Sequence, residues 1–442
     1  MFSVIVSTYN GSKEILNTLE NIKRGLEGFR FEIIVVDDGS IDDTAILLEP
    51  YKKDKRFKIL KQSNQGISAA RNQGIEAMSQ YAQYVVFIDD SDKVAKNFFL
   101  KIDNYFNTYA DIDIVATPLI RTKNGIFQQH SLNYRFHAGK QIVDIHNDYQ
   151  YIQFHIGGMA FRKRLFDNQQ YRFDENLTFW EDAKFINNIL IDIEKYGLIS
   201  DTAYFYNSEN PNSLSKSAWF LEERYIPLIE NNYMFLIRKS NEKFNHTIPY
   251  VQFLIATHYS EYLKEHNQER IIENPYFNVD RFELASQRLF SNISSEIIYN
   301  LRTHHVYINY MLNLKGKSVE RSRLVHNFKI HIHTFNILTR NIKFSFSDPT
   351  ATIPIDSKVY LNCFGNHLKL ATLVKTRRLN ILGKPTNDFS KNIYKIKLPL
   401  IYLFIRSKMT IVKNEIEYEI YNPSILSRVV KNVQKLIKHR RK

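Results

Sequence analysis

Cysteine is almost absent from this chain, which has 442 residues and a single cysteine, Cys363. A lone cysteine excludes a disulfide framework and any metal site built from several thiolates, and it is typical of a reducing compartment. Long apolar runs are absent too, because the longest, residues 398–405, is far shorter than the ~20 residues of a membrane-spanning helix. No basic segment precedes the apolar start, so the sequence predicts no signal peptide and a cytoplasmic protein.

Acidic residues become scarce in the last third of the chain. Residues 1–300 contain 33 Lys and Arg against 39 Asp and Glu, a net charge of −6, whereas residues 301–442 contain 27 against 7, a net charge of +20. The overall charge of +14 therefore comes from one region. This distribution argues against a uniform nucleic-acid-binding surface and favours a basic module that meets an anionic partner.

The first ninety residues alternate short apolar strands with amphipathic helices. Strands are predicted near residues 3–6, 31–36, 57–60 and 84–88, with helical segments between them. Such repeated strand–helix–strand units predict an α/β fold, with a parallel Rossmann-like sheet covered by helices on both faces.

The residues after the first ninety show a different pattern of apolar residues. The length of the whole chain predicts two or three domains. Helical patterns come first, and alternating apolar and polar residues typical of β-strands follow them. The predicted boundaries are 1–217 for the α/β domain, 218–325 for an α-helical extension, 326–422 for a small β-rich domain and 423–442 for a basic amphipathic tail.

Polar and acidic side chains follow three of the predicted strands at the point where each strand ends. Strand one leads into Ser7–Asn10, strand two into Asp37–Ser40 and strand four into Asp89–Asp92. Ligands of open parallel sheets bind beyond these carboxyl ends, so five carboxylates are expected around one crevice. Because unpaired carboxylates repel one another, we expect a bound divalent cation, and the hard oxygen ligands favour Mg²⁺ or Mn²⁺.

A further segment, Asn64-Gln65-Gly66, leads directly into the third helix, whose first turn contains Arg71. A helix N-terminus with an arginine beside it is suited to a diphosphate group. Taken alone, Arg71 is explained equally well by a surface ion pair.

Together these segments resemble the family 2 glycosyltransferases, which have the nucleotide-sugar-binding GT-A fold. The resemblance covers roughly residues 1–217. Its six motifs are Val4–Asn10, Val35–Ser40 with Asp42 and Thr44, Asn64–Ile75, Phe87–Asp92, Phe173–Glu175 followed by Glu181-Asp182, and Tyr204–Tyr206 with Ser213 and Ser215. Each motif alone is weak, but six in this order at suitable spacing are specific.

The resemblance implies a role for each matching residue. The nucleotide-sugar would be bound by Thr8, Tyr9, Asp37, Asp38, Asn64, Arg71, Asp89 and Asp90. Within this set, either Asp37 or Asp38 would bond the imide of a uridine-type base, while Asn64 and Arg71 would meet the ribose and the diphosphate. Asp182, next to Glu181, would be the catalytic base.

The metal-binding motif departs from the order usual in the family, Asp-Ser-Asp-Asp. This chain has Asp89-Asp90-Ser91-Asp92 instead, so a DxD motif is restored only when the register shifts by one residue. The ligand of Mn²⁺ or Mg²⁺ is therefore left open among these three aspartates, with Asp92 favoured and Asp90 as its partner.

Three other residues are candidates for the acceptor site. His155 and Gly158 lie in the segment His-Ile-Gly-Gly, where His155 could equally be a core histidine. Trp180 precedes the Glu181-Asp182 pair, and its ring could stack on a sugar.

The predicted function is that of an inverting, metal-dependent glycosyltransferase. It would move a sugar from a nucleotide-sugar, expected to be a UDP-sugar, to a hydroxyl of a bacterial surface glycopolymer such as teichoic acid, capsule or a lipid-linked glycan. One alternative is a sugar-phosphate or nucleotidyl transferase that uses the same nucleotide site. The other is a non-enzymatic protein that binds a polyanion or nucleic acid, and the lack of a recognised nucleic-acid motif disfavours it.

Two partners are expected from the C-terminal third. Residues 424–442 carry seven Lys and Arg and no acidic residue, interleaved with apolar side chains, which predicts peripheral contact with the inner face of the plasma membrane. By analogy with some wall teichoic acid glycosyltransferases, the C-terminal region is also expected to form a homo-oligomer.

Overall fold

A computed structural model of the protein describes residues 1–123, 125–208, 217–316, 329–336, 338–347, 357–362, 368–400, 407–413 and 416–422. The chain forms two compact units, one of Met1–His258 with Glu273–Ile297 and one of Tyr259–Ile272 with Ile298–Lys442. The predicted helical extension, 218–325, is thus shared between the two units. Cys363, Ser213, Ser215 and the predicted tail at 424–442 lie outside the described residues.

The first unit is built on strands that include all four predicted near the start of the chain. The described strands are β1 (Phe2–Thr8), β2 (Phe31–Asp37), β3 (Phe57–Lys61), β4 (Tyr84–Asp89), β5 (Lys93–Val94), β6 (Ile114–Ala116), β7 (Leu119–Lys123), β8 (Ile126–Gln129), β9 (Ile142–Asp144), β10 (Met159–Arg162), β11 (Lys195–Leu198) and β12 (Tyr204–Asn207). The helices among them are α1 (Ile15–Gly25), α2 (Thr44–Leu48), α3 (Ile67–Glu76), α4 (Phe98–Thr108) and α5 (Glu181–Ile193).

The large sheet has the strand order β3-β2-β1-β4-β10-β6-β11-β9. Neighbours among the first four strands are parallel, whereas β10 runs antiparallel to both β4 and β6. The side chains of β1 are buried along its whole length, as expected of a strand covered on both faces. The predicted α/β architecture is confirmed.

The order of the strands indicates where a ligand would bind. The chain winds outward from β1 to β3 and then returns to pair β4 with the other side of β1, so the direction of winding reverses between β1 and β4. Open α/β sheets bind ligands at such a switch point, beyond the carboxyl ends of the strands. Thr8 ends β1 and Asp89 ends β4, which puts the predicted acidic segments at this position.

A smaller sheet, with the order β5-β12-β7-β8, lies in the same unit. The helices that follow in the chain are α6 (Met234–Phe244), α7 (Pro249–Leu263), α8 (Gln268–Ile272), α9 (Val279–Ser291), α10 (Ser295–Tyr299) and α11 (His305–Leu314). Within the described residues, no helix combines the length and the apolarity that crossing a bilayer requires.

The second unit contains the predicted β-rich region. Its described strands are β13 (Lys329–Asn336), β14 (Asn341–Ser347), β15 (Lys358–Asn362), β16 (Leu368–Leu370), β17 (Thr372–Ile381), β18 (Lys384–Lys397), β19 (Ser407–Lys413) and β20 (Ile416–Asn422). They form two antiparallel sheets, β13-β14-β18-β17 and β16-β15-β19-β20. Alternation along β14 buries Ile342, Phe344 and Phe346 and leaves Lys343 exposed, so one face of the first sheet is apolar.

Candidate active site

Arg71 is the centre of a buried ion cluster at the carboxyl end of the large sheet. It lies on α3, and its side chain is only 2% exposed. One terminal nitrogen donates to Asp182 at 2.5 Å and to Glu181 at 3.2 Å, and the other donates to Asp89 at 3.1 Å. A planar guanidinium with several N–H groups can bind three carboxylates at once. Arg71 thereby joins the end of β4 to the start of α5.

Glu181 and Asp182 occupy the first turn of α5, after Trp180, whose backbone is left-handed with φ +67°. Burial, and next the neighbouring Asp182 carboxylate, raise the pKa of Glu181 to about 8. The raised pKa favours the protonated form of Glu181, and Arg71 is bonded by Asp182 and Asp89 as well. Asp182 is partly exposed and also accepts a hydrogen bond from the Ile156 N–H at 3.2 Å. A buried acid with a raised pKa beside a partly exposed acid is an arrangement that suits general acid–base chemistry.

Asp90 lies against the end of β1. Its Oδ2 accepts a hydrogen bond from the Thr8 hydroxyl at 2.6 Å. Burial raises the pKa of Asp90 to about 6, and the charge of Asp89 adds to the rise. Gly11 closes the same space, because a Cβ there would lie 2.3 Å from Thr8 Oγ1 and 2.4 Å from Asp90 Oδ2. A larger residue at this position would displace the Asp90 carboxylate.

Asp92, the favoured metal ligand, is buried and bonded through both carboxylate oxygens. Oδ2 accepts from the Tyr204 hydroxyl at 2.7 Å, and Oδ1 accepts from the Asn207 N–H at 2.8 Å. Burial and the charge of Asp89 hold the pKa of Asp92 well above its usual range. The Tyr204 oxygen also accepts a hydrogen bond from the Asp89 N–H at 3.3 Å. Asp92 thus ties the loop after β4 to β12, and its role as a metal ligand stays a prediction.

Sequence reasoning placed Tyr204 only in a closing motif and missed its contact with Asp92. The two residues are 112 positions apart, and they meet because β12 pairs with β5, the short strand that begins at Lys93. A tyrosine hydroxyl in that motif is the one signal that the sequence offered.

Asp37 and Asp38, both predicted to line the base, are buried but differ in their hydrogen bonds. Asp38 accepts from Gln62 Nε2 at 2.7 Å and from the N–H groups of Gln65 at 2.8 Å and Gly66 at 2.9 Å, so it holds the loop before α3. Asp37 accepts from the Ser40 N–H at 2.9 Å through Oδ1. Its Oδ2 is buried with no hydrogen-bond partner among the described residues, which makes it the available acceptor.

The other nucleotide candidates lie at the edge of this site. Tyr9 is 48% exposed, directly after β1. Asn64 is exposed, and its backbone lies against Gly39, where a Cβ would be 2.8 Å from the Asn64 nitrogen. Glycine with φ +78° at position 39 is therefore needed to let the two loops approach.

The three acceptor candidates differ in their surroundings. Trp180 is 6% exposed and packs against Tyr233 and His258, with ring centroids 5.0 and 5.3 Å away, so its ring is occupied by protein contacts. Gly158 packs against Tyr204, because a Cβ at position 158 would lie 3.0 Å from the Tyr204 Cβ. His155 is partly exposed, and Asp182 is the charge that acts on it most strongly. Trp180 and Gly158 are buried whereas His155 is partly exposed, and the acceptor role of all three stays a prediction.

The acidic segments do not form a ready-made metal cage. Among the described residues, no group of three or more His, Cys, Asp or Glu side chains is arranged to hold a metal ion. Magnesium sites in nucleotide enzymes often need only one or two carboxylates, because substrate phosphates complete the coordination.

Comparison with known proteins shows which proteins this chain is similar to. Residues 3–169 match the family model described as Glycosyl transferase family 2. The minor teichoic acid biosynthesis protein GgaA of Bacillus subtilis (strain 168) is 26% identical over 425 residues, which cover 90% of this chain and 92% of GgaA. GgaB of the same organism is 28% identical over 371 residues, which cover 80% of this chain and 39% of GgaB.

A staphylococcal relative has a solved structure. The poly(ribitol-phosphate) β-N-acetylglucosaminyltransferase TarS of Staphylococcus aureus (strain Mu50) is 24% identical over 226 residues, which cover 51% of this chain and 38% of TarS. The crystal structure of S. aureus TarS 1–349 in complex with UDP-GlcNAc superposes with a TM-score of 0.53 at 18% identity, covering 74% of this chain and 93% of that chain. This likeness confirms the predicted fold class.

The expectations of an enzyme and of a family 2 resemblance are also confirmed, so the non-enzymatic alternative is set aside. The chain carries a glycosyl transferase family 2 domain in residues 3–169, and the protein is a glycosyltransferase similar to proteins of teichoic acid biosynthesis.

Proposed function

We propose that the protein is an inverting glycosyltransferase that transfers a sugar from a UDP-sugar to a hydroxyl group of a teichoic acid polymer. The observation that carries this proposal is the Arg71 cluster. One side chain joins Asp89, at the strand end where a donor would bind, to Asp182, at the helix start where a base is needed. Sugar transfer requires both functions within the width of one sugar ring.

The unpartnered Asp37 oxygen supports a uridine donor. A buried carboxylate oxygen without a hydrogen bond is costly, and a ligand N–H would satisfy it. The imide N–H of uracil is such a donor, and the exposed Tyr9 ring at the edge of the site is available to contact the base. The TarS structure named above holds UDP-GlcNAc, which agrees with this choice.

The residues present fit a divalent cation. Asp90 and Asp89 are adjacent carboxylates, and burial together with the charge of Asp89 raises the pKa of Asp90, a charge that a cation would compensate. We propose that Asp90 and Asp89 hold Mn²⁺ or Mg²⁺ together with the donor phosphates, while Asp92 positions their loop. When bound, the cation would neutralise charge that develops on the leaving diphosphate.

Asp182 is the proposed general base. The acceptor hydroxyl gives its proton to the Asp182 carboxylate as its oxygen attacks the anomeric carbon, and the bond from that carbon to the diphosphate oxygen breaks. One direct displacement of this kind inverts the anomeric centre. Arg71 acts as a positioning residue that holds Asp182, and to meet the diphosphate as well it would have to exchange one of its carboxylates for phosphate.

The acceptor class rests on the relatives and on charge. GgaA and TarS are named for teichoic acid biosynthesis and poly(ribitol-phosphate), and a strongly basic C-terminal third suits such a polyanion. A cytoplasmic location at the inner face of the membrane, contact through residues 424–442 and a C-terminal homo-oligomer all stay predictions.

The test is an Asp182→Asn variant assayed for UDP release from a panel of UDP-sugars with poly(ribitol phosphate) as acceptor. We expect turnover to fall by ~10²-fold or more, with UDP affinity within twofold of the parent, because the amide cannot accept the proton. Asp201→Asn, an exposed change of the same kind, should leave turnover nearly unchanged. Near-normal turnover in Asp182→Asn would reject the base assignment. If the parent protein turns over none of the UDP-sugars in the panel, the proposed function is rejected.

A further inference from the structure

Three partly exposed rings lie together beside the proposed base. They are His130 at the end of β8, His155 in the loop before β10 and Tyr206 on β12. The ring centroids are 6.1 Å apart for His130 and His155, 5.9 Å for His130 and Tyr206, and 5.7 Å for His155 and Tyr206. None of the roles assigned above uses His130 or Tyr206, so this ring cluster needs its own explanation.

Backbone hydrogen bonds set the same tautomer in both histidines. His155 Nδ1 accepts from the Gly157 N–H at 3.1 Å, and His130 Nδ1 accepts from the Leu132 N–H at 3.2 Å. An imidazole that accepts at Nδ1 carries its proton on Nε2. Burial lowers the pKa of His130 to about 3 and also lowers the pKa of His155, so both rings are neutral at pH 7. Each therefore offers one Nε2–H donor.

Arg121 adds a positive charge to the ring cluster. It lies on β7, in register with Tyr206 on the neighbouring strand β12, so the two side chains lie on the same face of the small sheet. Its charge acts on His130 and on Tyr206. Arg121 is partly exposed, and it makes no ion pair with an acidic residue in the described part of the chain.

We propose that Arg121, His130, His155 and Tyr206 form a subsite that binds a phosphodiester group of the acceptor polymer. The inference rests on the proposed function and deepens it, because it names the chemical group by which the acceptor is held. The donor set supports it: one guanidinium, two neutral N–H groups and one hydroxyl match a group that carries a single charge and only accepts hydrogen bonds.

The position of the subsite explains how it would serve the reaction. Asp182 accepts a hydrogen bond from the N–H of Ile156 at 3.2 Å, and Ile156 directly follows His155, so the ring cluster lies next to the proposed base. A polyol unit has its hydroxyls within a few bonds of its phosphodiester. Binding the phosphate at Arg121 would therefore bring a neighbouring hydroxyl toward Asp182, whereas a neutral glycan would offer Arg121 no charged partner.

The experiment measures binding of a poly(ribitol phosphate) oligomer and, separately, of UDP to the full chain. Arg121→Gln should weaken oligomer binding at least tenfold and leave UDP affinity within twofold. Arg121→Lys should weaken oligomer binding less than Arg121→Gln, because lysine keeps the charge although it lacks the planar donor geometry. Arg30→Gln removes an exposed arginine before β2, at the opposite end of the strands, and should change neither affinity.

Two results would overturn the subsite. Oligomer binding unchanged in a folded Arg121→Gln variant would remove it, and an equal loss of UDP and oligomer affinity would assign Arg121 to the donor. Failure of the proposed function is separately visible: if no UDP-sugar is consumed but Arg121→Gln still loses oligomer binding, the phosphodiester subsite stands without the transfer reaction.

Discussion

The acidic end of the large sheet and the basic C-terminal sheet both bring like charges together, but in different surroundings. At the large sheet the crowded carboxylates are buried or half-buried and bonded to Arg71, Thr8 and Tyr204. In the C-terminal sheet, Lys343 of β14 lies directly opposite Lys395 of β18, and both are exposed. The four strands of that sheet contain nine Lys and Arg and one acidic residue, Asp388.

The comparison shows that the effect of crowding like charges depends on whether those charges are buried or exposed. Burial first, and the charge of a neighbouring carboxylate after it, raise the pKa values of Asp90, Asp92 and Glu181. Exposed like charges are screened within about 10 Å, and each opposed pair costs only a few tenths of a kcal/mol. Crowding of like charges therefore changes the protonation of the acids at the large sheet, whereas it costs little in the exposed basic sheet.

The largest effect should come from the unpartnered acceptor of the acidic site. Asp37→Asn should weaken UDP binding about 10- to 100-fold, because a charge-assisted hydrogen bond of about 1.5–3 kcal/mol is lost. Calorimetric titration with UDP measures it. The matched change Asp38→Asn should act mainly on stability, since Asp38 holds the loop before α3. If Asp38→Asn loses more UDP affinity than Asp37→Asn, the two roles are reversed.

The second prediction is that a change at Asp90 raises the stability of the fold but removes metal-dependent donor binding. Its folded pKa of about 6 lies above the ordinary 3.8, so the folded state holds this proton more tightly and stability falls as pH rises from about 4 to 6. Asp90→Asn should remove that fall and raise the free energy of unfolding at pH 7 by about 1–3 kcal/mol without metal, while abolishing metal-dependent donor binding.

Urea unfolding between pH 4 and 8 checks this, with the exposed Asp111→Asn as control. If the free energy of unfolding of Asp90→Asn depends on pH as it does in the parent, Asp90 is not the carboxylate with the raised pKa. Donor binding that still responds to EDTA would move the metal to another aspartate, with Asp92 the next to test.

A smaller loss is expected at Tyr204. Tyr204→Phe removes the donor to Asp92 and the acceptor for the Asp89 N–H, and should lower the free energy of unfolding by about 1–2 kcal/mol. Chemical denaturation measures it against Tyr81→Phe, which changes a tyrosine that is 67% exposed. Equal stabilities of the two variants would mean that Asp92 is not held by Tyr204.

The smallest effect should be a gain in the basic sheet. Lys343→Glu replaces a like-charged pair with Lys395 by an opposite pair, and should raise the free energy of unfolding by about 0.2–1 kcal/mol at low salt. The gain should vanish at 1 M salt. Lys358→Glu on β15, opposite Val412, is the control, and a matching gain there would point to net charge as the cause.

Much of the fold follows from local pattern. The strands that end at Thr8, Asp37 and Asp89 were predictable because short apolar runs bounded by polar loops are strands in any parallel sheet, and their order placed the acidic segments together. The pairing of β12 with β5 was not predictable, because register over a hundred residues leaves no local signal. The burial of Trp180 against Tyr233 was missed for the same reason.

The sequence by itself determined the chemical inventory: an α/β domain with carboxylates at its strand ends, an acidic pair at the start of a helix and a separate basic third. Only the tertiary structure decided which hydrogen-bond donors surround each of these acids. Asp38, Asp92 and Asp182 are bonded by groups from other segments, whereas one oxygen of Asp37 has no hydrogen-bond partner among the described residues. The reason is physical, since the chemistry of a carboxylate depends on the donors that surround it, and distant parts of the chain bring those donors.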